Sequence, residues 1–448
     1  NPTVNWMVRQ VIFFTSLKYF RRNRRQMIFM RKIISFFFAL LLCGSAMAAD
    51  KVKVTISNPL DFARAEEMVE LDLAVIKGKL GNPETVVVKD ANGNEVPSQV
   101  TYDGKLIFQP GVPAKGKSEY VVVAGTPEAY ASKVFGRQFP ERVDDIAWEN
   151  DRVAFRCYGP ALQRNGEKAW GYDIWNKRTS DLVVESRYAG ELDPEISSVC
   201  KKLRERGEND LADDLYNAVS YHVDHGNGMD CYKVGPTLGA GTTALLESDG
   251  MTLHYPKCYV DYEILDKGPL RFTVKLVYGK ESVEGQEIVE TRLVSLDAGS
   301  QMNKCVVSYE GVTKPQLLAT GIVVHNENPS AYVMNLGKTY MGYEDLGDPN
   351  QYKEKYRAKQ NQDFGKIYVG AVFQRRPEKM SFLQGHGLPG ATGHIIAISS
   401  CSNNEPYTYY FGTGWSRNPN TNFQSMADWE AYLSKFSQEV WNPLQVKM

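Results

Sequence analysis

The residues with the clearest potential for chemistry lie in one short stretch, 221–235, which is rich in polar side chains and glycine. It holds two of the six histidines, two aspartates and a lysine. Histidine exchanges protons near neutral pH, so His222 and His225 are candidates for the acid or base of a reaction. We expect Tyr232 to relay a proton and Lys233 to neutralise a substrate carboxylate.

Two other interpretations of this stretch remain open. In the first, His222, Asp224 and His225 form a metal site, since positions i and i+2 of a strand share a face and can bind one ion. In the second, the polar groups only satisfy the hydrogen bonds of a tight loop, whose glycines allow backbone conformations that other residues rarely adopt. Sequence spacing does not separate these alternatives.

Two further candidates lie in predicted strands. His325 ends the apolar run 322–324, and a histidine at the end of a strand can line a cleft or be a satisfied buried side chain. Arg292 has Glu290 on the same face of its strand. This arginine could bind a uronate, or it could form a surface ion pair that contributes little to stability.

An aromatic residue and an arginine follow one another closely near the C-terminus, in the stretch 411–417. Trp415 could stack on a sugar ring while Arg417 pairs with a substrate carboxylate. The alternative is a glycine-bearing β-bulge whose aromatic residue packs in the ordinary way.

Alternating strands and Gly-rich turns predict a mainly β protein of two parts. Residues 49–130 form a small β module with hairpin turns at 90–94 and 103–104, where Asn-Gly and Asp-Gly accept positive φ. Residues 131–448 form a large antiparallel sandwich. The strand candidates there are 152–158, 182–187, 252–265, 270–278, 287–296, 304–309, 322–324, 367–372, 394–399 and 407–412.

Two segments have helical spacing instead. Apolar residues recur every three or four positions through 193–219, with a break at Gly207, which predicts a helical hairpin inserted between strands. Near the end of the chain, Ser425 and Asp428 have the spacing of a capping box and predict the start of a helix with Trp429 on its apolar face.

Residues 30–48 have the layout of a secretory signal peptide, with a basic start, an apolar run at 33–42 and an Ala-x-Ala end. The run is too short to span a bilayer, which needs roughly 20 residues. We expect cleavage after Ala48 and a periplasmic or secreted protein. Lipoprotein anchoring at Cys43 is the alternative, although Leu42 stands where a small residue is usual.

Charge and composition narrow the class of partner. Residues 1–48 contain eight Lys and Arg and no acidic residue, so their removal takes the formal net charge from −1 to −9. A mildly acidic protein is a poor candidate for binding nucleic acid. No later apolar run is long enough for a membrane helix. The 51 aromatic residues fit either strand propensity or platforms that stack on sugars.

Six cysteines follow the predicted signal peptide, and their wide spacing gives no metal-binding pattern. An oxidising compartment would permit disulfides, but free buried thiols are equally consistent with the sequence. The chain has no G-x-S-x-G, H-E-x-x-H or P-loop signature. Sequence also does not show which two carboxylates stand at the separation that a glycosidase needs.

Several stretches resemble the domain-of-unknown-function family numbered 4861, namely 154–160, 171–175, 224–235, 266–271 and 412–415. The likeness covers nearly all of the chain after residue 48. It implies a small N-terminal β-sandwich and a large antiparallel supersandwich of the galactose-mutarotase type, with the helical insertion. That superfamily includes sugar epimerases and the sandwich domains of several polysaccharide lyases and glycosidases. The resemblance transfers no catalytic residue.

The leading hypothesis is an exported lyase or hydrolase that acts on uronate-containing oligosaccharides or polysaccharides. In a lyase a base removes the C5 proton, and cations stabilise the developing enolate. The alternatives are an epimerase or mutarotase-like enzyme, a glycan-binding module without chemistry, and a surface scaffold. No cofactor is expected other than a divalent metal, calcium or zinc. On this hypothesis, His225→Ala abolishes turnover and leaves the fold intact.

Overall fold

The structure is a computed structural model that describes residues 50–346 and 363–448. The predicted signal peptide and Cys43 lie outside these residues. The described chain is mainly β and its sheets are antiparallel, which confirms the predicted fold class. Within the two described ranges, no helix combines the length and the apolar character needed to cross a membrane.

The first seven strands build a small module with its own core. Two sheets enclose buried side chains such as Val54, Val88 and Phe108. Both predicted hairpin turns are confirmed, with Gly93 at φ +85° and Gly104 at φ +76°. The elements are β1 (Val52–Ser57), β2 (Val69–Asp72), α1 (Leu73–Lys79), β3 (Val86–Lys89), β4 (Glu95–Val96), β5 (Ser98–Val100), β6 (Lys105–Phe108) and β7 (Lys117–Ala124).

After the first module comes another sheet of five strands, in the order β12-β11-β10-β9-β8. We call it the second sheet. Its elements are β8 (Val134–Phe139), a 3₁₀ turn (Pro140–Arg142), β9 (Asp145–Asn150), β10 (Ala154–Cys157), α2 (Pro160–Arg164), β11 (Asp173–Lys177), α3 (Val184–Glu191), α4 (Pro194–Glu205), α5 (Asn209–Asn217) and β12 (Gly228–Asp230). Helices α4 and α5 confirm the predicted hairpin and separate at Gly207, which has φ +80°.

The strand predicted at 182–187 is wrong, because these residues begin helix α3. The carboxylate of Glu149 accepts hydrogen bonds from the backbone N–H groups of Val183 and Val184, both at 2.7 Å. A carboxylate at this place satisfies N–H groups that a helix start leaves without an intrahelical partner. The buried Glu149 is 33 or more residues away in sequence, so local pattern gave no sign of it.

The remaining strands form two sheets that pack on each other and on the second sheet. One has the order β14-β13-β20-β25-β24 and the other the order β15-β16-β18-β19-β26-β23-β22-β21, with β17 paired to β18. The strands are β13 (Ala240–Leu246), β14 (Leu253–His254), β15 (Tyr259–Lys267), β16 (Arg271–Tyr278), β17 (Glu281–Val283), β18 (Gln286–Asp297), β19 (Met302–Glu310), β20 (Gln316–His325), β21 (Tyr332–Met334), β22 (Tyr340–Asp345), β23 (Ile367–Phe373), β24 (Lys379–Gln384), β25 (Ala391–Cys401) and β26 (Tyr407–Trp415).

Aromatic side chains from all three sheets share the main core. The ring of Tyr172 stacks on Phe411 at 4.3 Å between centroids, and Trp148 contacts both Phe155 and Phe272. The six cysteines of the described residues are free thiols, and five of them are buried. Apolar burial, rather than disulfide bonding, therefore holds the described sheets together.

The last helix, α6 (Met426–Trp441), packs on the outer face of β22 and β23, and the predicted capping box of Ser425 and Asp428 is confirmed. Trp429 is fully buried and its indole donates to the carbonyl of Val369 at 3.0 Å. The chain then ends in β27 (Gln445–Lys447), which pairs with β1. The C-terminus thus returns to the first module.

Strand register brings several strand ends together at one edge of the sandwich. Asp345 at the end of β22 is paired with Ile367 at the start of β23, and Ile367 with Trp415 at the end of β26. In the facing sheet, His325 at the end of β20 is paired with Ala391 at the start of β25. This edge therefore gathers side chains from distant parts of the chain.

Candidate active site

His325 and Asp345 form a buried pair at this edge. The Nδ1 atom of His325 lies 3.0 Å from Oδ2 of Asp345, and the two side chains are 3% and 1% exposed. Desolvation lowers the pKa of His325, but the Asp345 carboxylate outweighs it and holds the pKa above its usual value. With Nδ1 taken by the carboxylate, Nε2 is the ring atom that would exchange a proton with a substrate.

Two tyrosines pack around this pair. The ring of Tyr232 meets the imidazole of His325 edge to face, at 5.8 Å between centroids. The hydroxyl of Tyr343 accepts a hydrogen bond from the backbone N–H of His325 at 3.1 Å. Burial raises the pKa of Tyr232 well above its ordinary value, and Asp345 raises it further. Its hydroxyl therefore stays protonated at neutral pH.

Lys233 brings a positive charge to the same place. Its Nζ atom would lie 2.6 Å from a Cβ atom at Gly390, so the ammonium lies directly against this glycine. The carbonyl of Gly390 accepts from the backbone N–H of Asn326, the residue after His325, at 3.1 Å. Lys233 also acts against protonation of His325. Lys233 and His325, which the sequence named separately, thus lie close to each other.

Asp224 joins two arginines beside this pair. Its Oδ2 atom lies 3.0 Å from Arg178 and 3.1 Å from Arg417, while Oδ1 accepts from the backbone N–H groups of Gly226 and Gly228. Although desolvation raises the pKa of Asp224, the hydrogen bonds from Gly228 and Arg178 hold it below its ordinary value. Two guanidinium groups therefore share this one carboxylate.

The buried thiol of Cys231 connects these two groups of residues. Burial raises its pKa first, Asp345 raises it further, and Arg417 opposes the change. The carboxylate of Asp345 and the guanidinium of Arg417 therefore both act on this thiol. We call this set the His325 site; it consists of Tyr232, Lys233, His325 and Asp345 with Asp224, Arg178 and Arg417.

The two histidines of the 221–235 stretch have other partners. The Nδ1 atom of His222 lies 3.2 Å from the carbonyl of Asp230, and burial lowers its pKa. His225 is exposed, and its Nε2 atom lies 3.0 Å from the carbonyl of Ser220. The described residues contain no group of three or more His, Cys, Asp or Glu side chains placed to hold a metal ion. The loop does not gather its own imidazoles as predicted.

Two predicted substrate-binding residues are buried instead. Arg292 has no exposed surface, and its guanidinium contacts Glu290 and the hydroxyl of Tyr278 inside the sandwich. Trp415 is 3% exposed, and its indole donates to the carbonyl of Phe364 at 2.8 Å. Both side chains are therefore held inside the fold rather than exposed at its surface. Trp415 instead supports Arg417, whose guanidinium lies 5.4 Å from its ring.

Sequence reasoning missed Asp345 and Arg178. Asp345 ends a strand that the apolar pattern did not reveal, because the glycine and charged residues of Tyr340–Asp345 weaken its alternation. Its partner His325 is 20 residues away, with β21 between them, and no spacing rule links the two. Arg178 follows β11 directly and looks like an ordinary surface residue. Asp224, by contrast, was named as a metal candidate and binds two arginines.

A second polar cluster lies between the five-stranded second sheet and the helical insertion. Arg156 is 4% exposed and donates to Asp173 at 2.8 Å, to Asp230 at 2.9 Å and to the hydroxyl of Tyr158 at 2.9 Å. Desolvation raises the pKa of Asp145 to about 6 and that of Asp173 to about 7. These side chains join four neighbouring strands of one sheet, so we assign the network a structural role.

Two solved structures align with most of the chain. One is an alpha-mannosidase from Enterococcus faecalis V583, with 8% identity and a TM-score of 0.44 over 89% of this chain and 46% of that one. The second is a protein in glycosyl hydrolase family 38 from Enterococcus faecalis, with 8% identity and a TM-score of 0.45 over 90% and 48%. The chain spans about half the length of these structures, and likenesses at such TM-scores carry no argument about its activity.

Sequence comparison gives a closer relation. Uncharacterized protein P7 from Formosa agariphila is 24% identical over 415 residues, which are 88% of this chain and 93% of that protein. The family model described as Domain of unknown function (DUF4861) matches residues 56–446, and this confirms the resemblance drawn from the motifs. Because the match extends over far more than half of the sequence, the chain belongs to the DUF4861 family.

Proposed function

We propose that this protein is a carbohydrate-active enzyme, a lyase or hydrolase that acts on uronate-containing saccharides, with His325 as its acid–base group. The observation that carries the proposal is the buried pair of His325 and Asp345 with the ammonium of Lys233 beside it. A histidine whose Nδ1 is held by a carboxylate has a fixed ring and a defined proton-exchanging atom, Nε2.

Cationic side chains at the His325 site favour an anionic substrate. Arg178 and Arg417 share the carboxylate of Asp224, and Lys233 adds a third cation. Guanidinium groups bind carboxylates through paired hydrogen bonds, so a uronate is a sugar that these side chains suit.

In the lyase form of the proposal, each group has a separate task. Neutral His325 takes the C5 proton of the uronate at Nε2, while Lys233 and Arg417 stabilise the negative charge that develops on the carboxylate. The C4–O bond then breaks, and the protonated hydroxyl of Tyr232 supplies a proton to the departing oxygen. In the hydrolase form, protonated His325 gives its proton to the glycosidic oxygen and water completes the cleavage.

Screening the purified protein against uronate-rich polysaccharides tests this proposal. A lyase is expected to produce absorbance at about 235 nm from the unsaturated product of acid–base elimination, and a hydrolase new reducing ends without it. A neutral glucan and a neutral xylan serve as matched controls and should give neither signal. Saturable binding to a uronate polymer without any product would contradict the proposal and indicate a glycan-binding module.

Export belongs to the same proposal. The features that support it are the basic start, short apolar run and Ala-x-Ala end of residues 30–48. Expression of the full chain in a Gram-negative host should place the protein in the periplasm or medium, with a mature N-terminus at Ala49. A lipid-modified N-terminus at Cys43 would show membrane anchoring instead, and an uncleaved cytoplasmic chain would contradict export.

A further inference from the structure

A cavity of about 490 Å³ lies far from the His325 site, on the opposite face of the nine-stranded sheet. Its walls come from three places: the segment 63–70 of the first module, helix α6, and outward side chains of β18, β19 and β26. Binding sites for small molecules commonly have volumes of about 300–1,000 Å³ and often lie where separate structural units meet. The size and position of this cavity fit such a site.

One wall of the cavity is aromatic. Tyr410 of β26 meets Phe436 of α6 edge to face at 5.3 Å, and Phe436 stacks beside Tyr432 at 6.1 Å. All three residues are half-buried and line the cavity. The hydroxyl of Tyr432 accepts from the backbone N–H of Gln301 at 3.3 Å, which fixes its ring. Fixed rings of this kind cover apolar faces of a ligand at little cost in conformational entropy.

The other walls carry charges of both signs. Five carboxylates and four cations line the cavity; they are Glu66, Glu67, Glu70, Asp297 and Glu439, and Arg64, Arg271, Lys304 and Lys435. Arg271 and Asp297 form a bidentate pair at 2.6 and 2.9 Å. Burial raises the pKa of Glu67 to about 7 and also raises that of Glu439. Mixed acceptors and donors suit a ligand with many hydroxyl groups, which both donate and accept hydrogen bonds.

A buried guanidinium fixes one wall of the cavity. Arg64 is 2% exposed; it donates to the carbonyl of Asn442 at 2.7 Å and to that of Glu439 at 3.3 Å, and it pairs with the carboxylate of Glu67. These bonds tie the segment 63–70 of the first module to the end of helix α6, so the shape of the cavity is set before a ligand binds.

We propose that this cavity is a second carbohydrate-binding site, which takes a neutral oligosaccharide between the first module and the sandwich. Aromatic faces would cover the apolar faces of the sugar rings, and the surrounding charged side chains would bond their hydroxyls. A polyanion is disfavoured because five acidic side chains line this cavity. The proposal does not rest on the acid–base role of His325.

Calorimetric titration of the full chain with neutral hexasaccharides tests this proposal, with cellohexaose, xylohexaose, mannohexaose and galactohexaose as the probes. We expect at least one of them to bind saturably. Tyr410→Ala should weaken that binding about tenfold or more, since an aromatic contact is removed. Glu439→Gln, which keeps the side-chain shape, should weaken it less. Tyr102→Ala removes an exposed tyrosine outside the cavity and serves as the matched control.

A fourth variant distinguishes binding in this cavity from chemistry at the His325 site. His325→Ala should bind the neutral hexasaccharide as the wild type does, because its side chain is not part of the cavity. Failure of all four probes to bind the wild type would overturn the proposal. So would wild-type affinity in both Tyr410→Ala and Glu439→Gln. Neither outcome would bear on uronate turnover at the His325 site.

Discussion

At the scale of single residues, the proton affinity of His325 depends on one neighbour. Burial alone would push the pKa of this imidazole down, as it does for His394, whose pKa falls to about 3. The carboxylate of Asp345 reverses the direction for His325. Two histidines of the same sheet edge thus differ in proton affinity because one of them has an acidic partner.

The first prediction follows from this dependence. Asp345→Asn removes the charge that raises the pKa of His325, so this pKa should fall. The limb of the pH profile of kcat/KM that reports His325 should then move to lower pH, whether the residue acts as acid or base. Glu344→Gln removes a neighbouring carboxylate, 3.1 Å from Lys366, and should leave the limb in place. An unmoved limb in Asp345→Asn would exclude the pair as the titrating unit.

Only some residues of the candidate site could be predicted from the sequence. His325, Tyr232, Lys233 and Arg417 could be named because their types and positions suggest chemistry. Asp345 could not, because its role comes from its contact with His325. That contact forms only when β20 and β22, which lie in facing sheets, pack against each other. His222 and His225 were wrongly favoured because their neighbours in sequence are polar, which suggested a shared site. In the structure each ring lies against a nearby backbone carbonyl instead.

At the scale of elements, two paired glycines allow helix α6 to lie close to the sheet. Gly342 and Gly370 are opposite one another in β22 and β23. A Cβ atom at Gly370 would lie 2.6 Å from Cδ2 of Leu433, and one at Gly342 would lie 2.9 Å from its Cδ1. Leu433 and the neighbouring Trp429 therefore fill the space that side chains on these strands would need.

The second prediction concerns this contact. Gly370→Val should lower the free energy of unfolding by about 1–3 kcal/mol, since overpacking a filled interface forces side chains or backbone to shift. Urea unfolding followed by tryptophan fluorescence measures the change. Gly111→Val is the matched control, because a Cβ atom there would meet nothing within 4 Å. Equal stability of the two variants would show that the helix has room to move outward.

The third prediction tests the start of the same helix. Ser425 accepts a hydrogen bond from the backbone N–H of Asp428 at 3.2 Å and completes the capping box. Ser425→Ala should lower the free energy of unfolding by about 1 kcal/mol, while Ser425→Thr, which keeps an acceptor, should lower it less. Identical urea midpoints for the two variants would argue against a stabilising cap.

Elements were predictable where their signals are local. The hairpin turns at Gly93 and Gly104, the helical hairpin and the capping box all depend on residues a few positions apart. The apolar start of α3 was mistaken for a strand because Glu149, which caps it, is remote in sequence. The single strand predicted at 252–265 is divided in the structure into β14 and β15, with Pro256 between them. The pairing of β27 with β1 joins the two ends of the described chain, which no local pattern indicates.

At the scale of the whole molecule, buried charge links stability to pH. Asp145 has no exposed surface, and desolvation raises its pKa from 3.8 to about 6. The folded state therefore holds this proton more tightly than the unfolded state does. Between pH 3.8 and about 6, ionisation of the unfolded chain is favoured, so this residue reduces stability as pH rises.

The fourth prediction follows from that sign. Asp145→Asn cannot ionise, so its free energy of unfolding relative to wild type should rise between about pH 4 and pH 6. The gain should reach at most about 3 kcal/mol, because one pKa unit corresponds to about 1.36 kcal/mol. Urea unfolding at several pH values measures it, and Asp181→Asn at an exposed position is the control. A difference that stays constant with pH would show that Asp145 does not titrate in this window.

The measurement that most directly tests the central claim is the turnover of His325→Ala and His225→Ala on the same uronate polymer. His325 lies with Asp345 and Lys233, while His225 is exposed and bonded to a local carbonyl. His325→Ala should remain folded with a lower melting temperature, because Asp345 loses its buried partner, and should lose about 10²–10⁴-fold in kcat, the usual contribution of a general acid or base. His225→Ala should retain kcat within a few-fold of wild type. A folded His325→Ala that turns over like the wild type, or a loss confined to His225→Ala, would contradict the account.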